Sequence, residues 1–360
     1  MARLMALLGV VGVLVAGVLS LVLSRRVASS LGTIADETRE IGRFRLDSKE
    51  PERSRISEIS TLATAVEEMK TGLRSFQKYV PEELVRSLVE SGQEAELGGA
   101  RRELTVYFSD IIGFTSISEQ LEPDQLVEML SEYLEEMTGE ILRRGGTVDK
   151  FIGDAIMAFW GAPRVHETPV RSACLTALAN QARLGELRTG WEEAGLPPLR
   201  ARIGMHTGEA AVGNFGSPRR LDYTAIGDTV NVASRLEGLN RIYGTEILIS
   251  ETTRLAVCGE MVTRPVDRVA VKGRSEGILV HELLGEVGKV REEVLQWRDA
   301  HAEALERYFE GDWEAAKGGF EAILEQRSGE RSSALLHDRC VQLLAQPPEE
   351  NWDGVYHAPK

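Results

Sequence analysis

The chain has 360 residues, 42% hydrophobic and 27% charged, a folded-protein composition with room for roughly two to three domains rather than a disordered polymer. A formal net charge of −14 excludes the broad basic face that tracks nucleic acid, so no nucleic-acid partner is expected. An anionic small substrate stays compatible, because metals and a few cations can dominate one cleft. Three widely spaced cysteines, Cys174, Cys258 and Cys340, form no CxxC pair, which fits a reducing compartment and offers no zinc site.

From the N-terminus, Leu4 to Leu23 is apolar but for Ser20, long enough to cross a hydrocarbon core. Arg25 and Arg26 follow at once against the single Arg3 ahead, which places the C-terminal side in the cytoplasm of a single-pass cell-membrane protein, in contact with membrane lipid. With three residues ahead of the span, no external sensor is expected within this chain. Val27, Leu31, Ile34, Thr38 and Ile41 then recur in alternating steps of four and three, and Ile59, Leu62, Val66, Met69, Leu73 and Phe76 do the same. Each is a heptad seam, and the two are joined by a polar connector around Asp47 to Arg55. A helix with such a stripe gains little alone, so a bundle with a second copy is implied. In pattern and position the segment resembles a HAMP domain; a simple coiled-coil linker would dimerise the chain equally well. The expected boundaries are a transmembrane helix over 4–24, a HAMP domain over 25–79 and a coupling helix or linker over 80–100, broken at Pro81.

After Glu103 the helical period gives way to strands. Leu104 to Phe108 is a buried-strand run ending in Ser109-Asp110. A carboxylate at the tip of a buried strand is costly without a cation or donors. Helical material from Pro123 to Arg144 closes at Gly145-Gly146, and two apolar strands, Thr147 to Ile152 and Ala155 to Trp160, flank the turn Gly153-Asp154. That hairpin presents Asp154 at its tip. Two strand-end aspartates on neighbouring elements can share a pair of hard cations, which prefer oxygen ligands and leave positions open for phosphates. Either aspartate alone reads equally well as a turn or cap residue.

Four strings occur in order: FSDIIGFT from Phe108 to Thr115, DKFIGD from Asp149 to Asp154, RIGMHTG from Arg202 to Gly208, and GDTVNVASR from Gly227 to Arg235. Together they resemble the class III nucleotidyl cyclase catalytic domain, over 101–285. The resemblance implies an α+β chain with a ferredoxin-like catalytic domain, an α/β sandwich. It implies Asp110 and Asp154, with the backbone carbonyl of Ile111, as ligands of two Mg²⁺ (or Mn²⁺) per active site. Lys150 matches the position that reads the purine in adenylyl cyclases, and an ammonium there can donate to adenine N1, a bare acceptor. Thr224 matches the second base-reading position, where many adenylyl cyclases carry Asp and a subgroup, class IIIb, carries Thr. Asn231 and Arg235, four apart on one helical face, match the ribose-orienting and transition-state residues. Arg202 and Lys272 match phosphate-contacting positions, and His206 reads as structural.

In this family the site forms between two catalytic domains, and here every required position occurs once, so a symmetric homodimer is implied. The implied activity is conversion of ATP to 3′,5′-cyclic AMP and pyrophosphate by a membrane-anchored adenylate cyclase. Guanylate cyclase is the competing enzyme, opposed by Lys150; a nucleotide-binding module without turnover and a dimeric scaffold are the non-enzymatic alternatives. Downstream, Val290 to Phe309, Trp313 to Leu324 and Ser332 to Leu344 read as helices of an extension over 290–346. Leu305, Tyr308, Trp313, Ala316, Phe320 and Leu324 resemble a tetratricopeptide-type (TPR-like) hairpin, either a packing accessory or a surface for a protein partner. The tail, 347–360, carries no readable chemistry.

Overall fold

The computed structural model describes residues 1–47, 56–77, 79–80, 84–85, 89, 94–270, 277–348 and 352–356, in two compact units, Met1–Ala95 and Glu96–Lys360. In the first unit, helix α1 (Ala2–Gly42) runs without a break from the apolar segment into the first heptad seam. From Arg3 onward it is long and apolar enough to cross a membrane. Helix α2 (Ser57–Gln77) packs against its C-terminal half. Ile34 and Ile41 of α1 meet Ile59 and Val66 of α2, with Phe44 and Leu46 closing the end.

Those contacts use half of each expected seam. Buried positions recur in steps of seven, whereas Leu31, Leu62, Met69 and Phe76 stay exposed. The α1–α2 contact therefore buries one line of each stripe and leaves the other open. Lys70 lies fully buried against the Glu37 carboxylate, Nζ 2.8 Å from Oε1. Most of the expected connector, and much of the expected coupling segment including Pro81, lies outside the described residues.

The second unit is built on one mixed sheet. Its elements are β1 (Gly98–Ile111), α3 (Phe114–Ser118), α4 (Pro123–Arg143), β2 (Thr147–Ile152), β3 (Ala155–Trp160), α5 (Pro169–Glu193), β4 (Ala201–Ser217), β5 (Arg220–Ile226), α6 (Asp228–Tyr243), β6 (Ile247–Ser250), α7 (Glu251–Ala256), β7 (Met261–Val269) and β8 (Ile278–Glu286). The strand order is β2-β3-β1-β4-β6-β8-β7, with β5 paired to β4. Within it β1-α4-β2-β3-α5-β4 forms an antiparallel β2-β3-β1-β4 sheet, which is the ferredoxin-like arrangement. β1 starts at Gly98, ahead of the first apolar residue of its pattern, because Gly98 to Arg102 pair with β4 as an exposed ribbon that buries no alternating face.

Alternation along β1 divides the core into two layers. Tyr107 and Ile111 face Met129, Tyr133 and Met137 of α4 and Cys174 of α5. Val106 and Phe108 face the other way, against Phe159 and Ala233 of α6. The approach of α6 depends on Gly204 of β4, where an added Cβ would lie 2.0 Å from the Glu237 amide nitrogen.

Helices α8 (Glu292–Phe309), α9 (Trp313–Gln326) and α10 (Arg331–Ala345) enclose their own core of Leu305, Tyr308, Ala316, Phe320, Ile323 and Leu336. Ile323 rather than Leu324 faces inward, one position before the expected stripe. These helices belong to the same compact unit as the sheet. Arg339 of α10 pairs with the fully buried Asp267 of β7, which also accepts from the Tyr243 hydroxyl at 2.6 Å. Arg264 of β7 bridges Glu282 and Glu330. The described part of the tail is tied down: Trp352 stands edge-on to Tyr308 and Trp313, and the Tyr356 amide donates to the Arg268 carbonyl.

Candidate active site

Asp110 occupies the next-to-last position of β1, and Asp154 sits in the β2–β3 turn beside it. Gly153 takes φ +67° in that turn, a left-handed conformation that glycine adopts without penalty. The Ile111 amide donates to Asp154 Oδ2 at 3.2 Å, pinning the hairpin tip to the end of β1. The Ile111 side chain itself is buried in the core. Burial, followed by the charge of Asp154, pushes the Asp110 carboxyl up to about 6. The two carboxylates, side by side at one strand end, are oxygen donors of the kind hard divalent cations take.

Arg202 lies directly across from Asp110 in the β1–β4 register, and its charge partly offsets the upward push on Asp110. Its Nε is 3.6 Å from Glu237 Oε1, an ion pair too long for a hydrogen bond. Burial and the charge of Asp110 raise Glu237 to about 7. Glu237 was not among the expected site residues. The signal was in its spacing: steps of four and three place it with Ala233 and Asn240 on the sheet-facing stripe of α6, where a carboxylate needs a cation nearby.

A second group joins β2 to β5. The Thr224 hydroxyl donates to Asp149 Oδ2 at 2.5 Å, and the Ala225 amide approaches the same oxygen at 3.4 Å. Lys150 Nζ lies 3.3 Å from Asp149 Oδ1. The Asp149 side chain is 1% exposed while that of Lys150 is 40% exposed. The β2–β3 register shifts between Val148 and Lys150, so Asp149 is the extra residue of a bulge, a device that re-aims a side chain. Burial raises the Asp149 pKa, opposed by the Thr224 hydrogen bond and the Lys150 charge. Asp149 was also not expected, and no periodicity reveals a bulge.

Asn231 is exposed and Arg235 half-buried on α6, and neither side chain makes a hydrogen bond or ion pair with other described residues. Lys272 lies outside the described residues. His206 is buried, its Nδ1 sharing a 2.7 Å hydrogen bond with Ser250 Oγ. The structure thus brings Asp110, Ile111, Asp154 and Arg202 together, and separately Lys150 with Thr224.

A family model described as the adenylate and guanylate cyclase catalytic domain matches residues 99–285. Adenylate cyclase 1 of Rhizobium meliloti (strain 1021) is 40% identical over 279 residues, covering 77% of this chain and 42% of that protein. An adenylate cyclase of Anabaena cylindrica is 38% identical over 246 residues, covering 64% of this chain and 49% of its own length. The chain therefore spans less than half the length of these relatives. Among solved structures, the adenylyl cyclase CyaB from P. aeruginosa superposes with a TM-score of 0.50 at 38% identity, covering 54% of this chain and 100% of that one. A bacterial light-regulated adenylyl cyclase superposes with a TM-score of 0.57 at 25% identity, covering 69% and 71%. With its ferredoxin-like core and the family match from β1 through β8, this chain belongs to the adenylate and guanylate cyclase catalytic-domain family.

Proposed function

We propose that the chain is a membrane-anchored adenylate cyclase that converts ATP to cyclic AMP and pyrophosphate at sites shared between two copies. The observation that carries this reading is the carboxylate pair, Asp110 and Asp154, held at one strand end by the Ile111 amide. The relatives named as adenylate cyclases support the substrate. Asp110, Asp154 and the Ile111 carbonyl would hold two Mg²⁺ or Mn²⁺. When bound, these cations would activate the ribose 3′-hydroxyl and neutralise charge on the departing pyrophosphate. Lys150 and Thr224 would hold the adenine. Asn231 would orient the ribose, and Arg235 would stabilise charge at the α-phosphate as the 3′-oxygen attacks in line. Arg202 and Lys272 would contact the phosphates.

The α6 pair has no partner among the described residues of its own chain, which suits a role across a two-fold interface. Regulation would pass through the α1–α2 pair, arranged as a HAMP bundle whose exposed Leu31, Leu62, Met69 and Phe76 meet a second copy. The domain boundaries set out from the sequence, a cytoplasmic catalytic domain on a single membrane span and a TPR-like extension that packs or binds a protein, belong to the same proposal. The test is product formation by the full chain in lipid nanodiscs, given ATP or GTP with Mg²⁺ or Mn²⁺. Cyclic AMP from ATP, at a rate well above cyclic GMP from GTP, is expected; equal rates, or a preference for GTP, would reject the adenylate assignment.

A further inference from the structure

Asp149 is buried beside both base-reading candidates, yet it has no place in the mechanism above. Its Oδ2 accepts from the Thr224 hydroxyl and the Ala225 amide, and its Oδ1, which makes no hydrogen bond among the described residues, lies in ion-pair range of the Lys150 ammonium. A carboxylate accepts at both oxygens, so this set of donors matches the ionised acid. The consequence falls on Thr224. A hydroxyl has one proton, and here that proton is given to Asp149, so whatever approaches Thr224 Oγ1 from the site meets lone pairs. Threonine by itself is ambiguous between donor and acceptor; Asp149 removes the ambiguity.

We infer that Asp149 is the positioning residue that sets base selectivity, by fixing Thr224 Oγ1 as an acceptor beside the Lys150 ammonium, which is a donor in itself. Adenine offers the complement, an acceptor at N1 and an N–H donor at its 6-amino group. Guanine offers the reverse, a donor at N1 and an acceptor at O6, so both contacts become like against like. The inference rests on the proposed base-reading role of Lys150 and Thr224 and explains how a threonine can do a carboxylate's work there. The bulge in β2 is what allows it, turning Asp149 toward β5 while Lys150, next in sequence, reaches toward solvent.

The chemistry dictates the variants. Asp149→Asn keeps the shape but leaves one acceptor for the three donors, so in either amide orientation an N–H faces an N–H or the ammonium. Full-length wild type and Asp149→Asn are compared for the ratio of kcat/KM with ATP to that with GTP. The same selectivity is read as the ratio of Kd values for ATP and GTP displacing a fluorescent nucleotide with Mn²⁺ present. The ratio is expected to fall about tenfold or more, chiefly through a higher KM for ATP, as for a site that loses a matched hydrogen bond. Thr224→Val, which removes the hydroxyl at constant shape, is expected to lose selectivity similarly and to add little to Asp149→Asn.

Thr224→Asp supplies the sharper sign. Beside the native Asp149 it sets two carboxylates together and is expected to impair ATP use. In the Asp149→Asn background the new carboxylate gains an amide partner and is expected to restore the adenine preference. Unchanged selectivity in both Asp149→Asn and Thr224→Val, with wild type adenine-selective, overturns the inference while leaving the cyclase reading intact. A wild type that binds ATP selectively without turnover overturns the cyclase reading, and the Kd ratio still decides the role of Asp149. If Asp149→Asn does not fold, Thr224→Val alone decides: retained selectivity overturns the inference.

Discussion

Asp110 lies on a strand whose neighbours Tyr107, Phe108 and Ile111 are buried, so ionising it without a cation works against both burial and the adjacent Asp154. Its carboxyl, ordinarily near 3.8, is held up to about 6. Between those values the folded chain keeps a proton that the unfolded chain releases, so this group's contribution to stability declines as pH rises through that window. A cation reverses the preference, because it binds the ionised form and displaces the proton. Mn²⁺ affinity, measured by electron paramagnetic resonance titration, is expected to be about tenfold weaker at pH 5 than at pH 7.5. Affinity that does not change across this range would contradict the placement of Asp110 at the cation.

At this scale, what the sequence disclosed was uneven, for physical reasons. Asp110 and Asp154 were legible because charge at the end of an apolar strand is conspicuous, and Asn231 with Arg235 because four residues make one helical turn. Their roles still came from resemblance, since spacing alone does not separate a ligand from a cap. Glu237 was readable from helical period but was masked by the more conspicuous Arg235 two residues before it. Asp149 was not readable at all, since the bulge that turns it toward Thr224 belongs to the strand pairing and leaves no trace in local composition.

Among the elements, α6 carries the exposed Asn231 and the half-buried Arg235 and is held from two directions. Gly204 allows it to lie close on β4, and its last turn is bound to the C-terminal helices, where the Ser332 hydroxyl donates to the Tyr243 carbonyl and Asp267 gathers the Tyr243 hydroxyl and Arg339. Helices α8 to α10 were legible in number and extent from their periodicity, but their docking was not, because it depends on single polar residues of β7, Arg264 and Asp267, meeting partners far along the chain, Glu330 and Arg339. Arg339→Ala would leave Asp267 fully buried with the Tyr243 hydroxyl and its neighbouring amide as remaining donors. Urea unfolding is expected to show a loss of about 3 kcal/mol, the scale of breaking a buried ion pair. A loss below about 0.5 kcal/mol, as for an exposed pair, would mean that the extension does not brace the sheet.

For the whole molecule, the heptad seams imply a bundle with a second copy, and the α1–α2 packing buries one line of each seam. The exposed line of Leu31, Leu62, Met69 and Phe76 is where the proposal puts the second copy. Leu62→Asp with Met69→Asp places charge on that line without touching the buried Ile59 and Val66. By analytical ultracentrifugation in detergent the variant is expected to shift toward monomer, with cyclic AMP production falling in step; a stable, fully active dimer would remove these helices from the assembly.

The most direct test of the shared site is complementation in full-length protein. Asp110→Ala and Arg235→Ala are each expected to be inactive alone, because every two-fold site then lacks either its carboxylate pair or its arginine. Co-expressed, they form mixed dimers in which one of the two sites is intact. Random pairing makes half the dimers mixed, so recovery of about a quarter of wild-type cyclic AMP production is predicted. Full activity from either variant alone, or no recovery from mixed dimers shown to have formed, would contradict a catalytic site assembled from two chains.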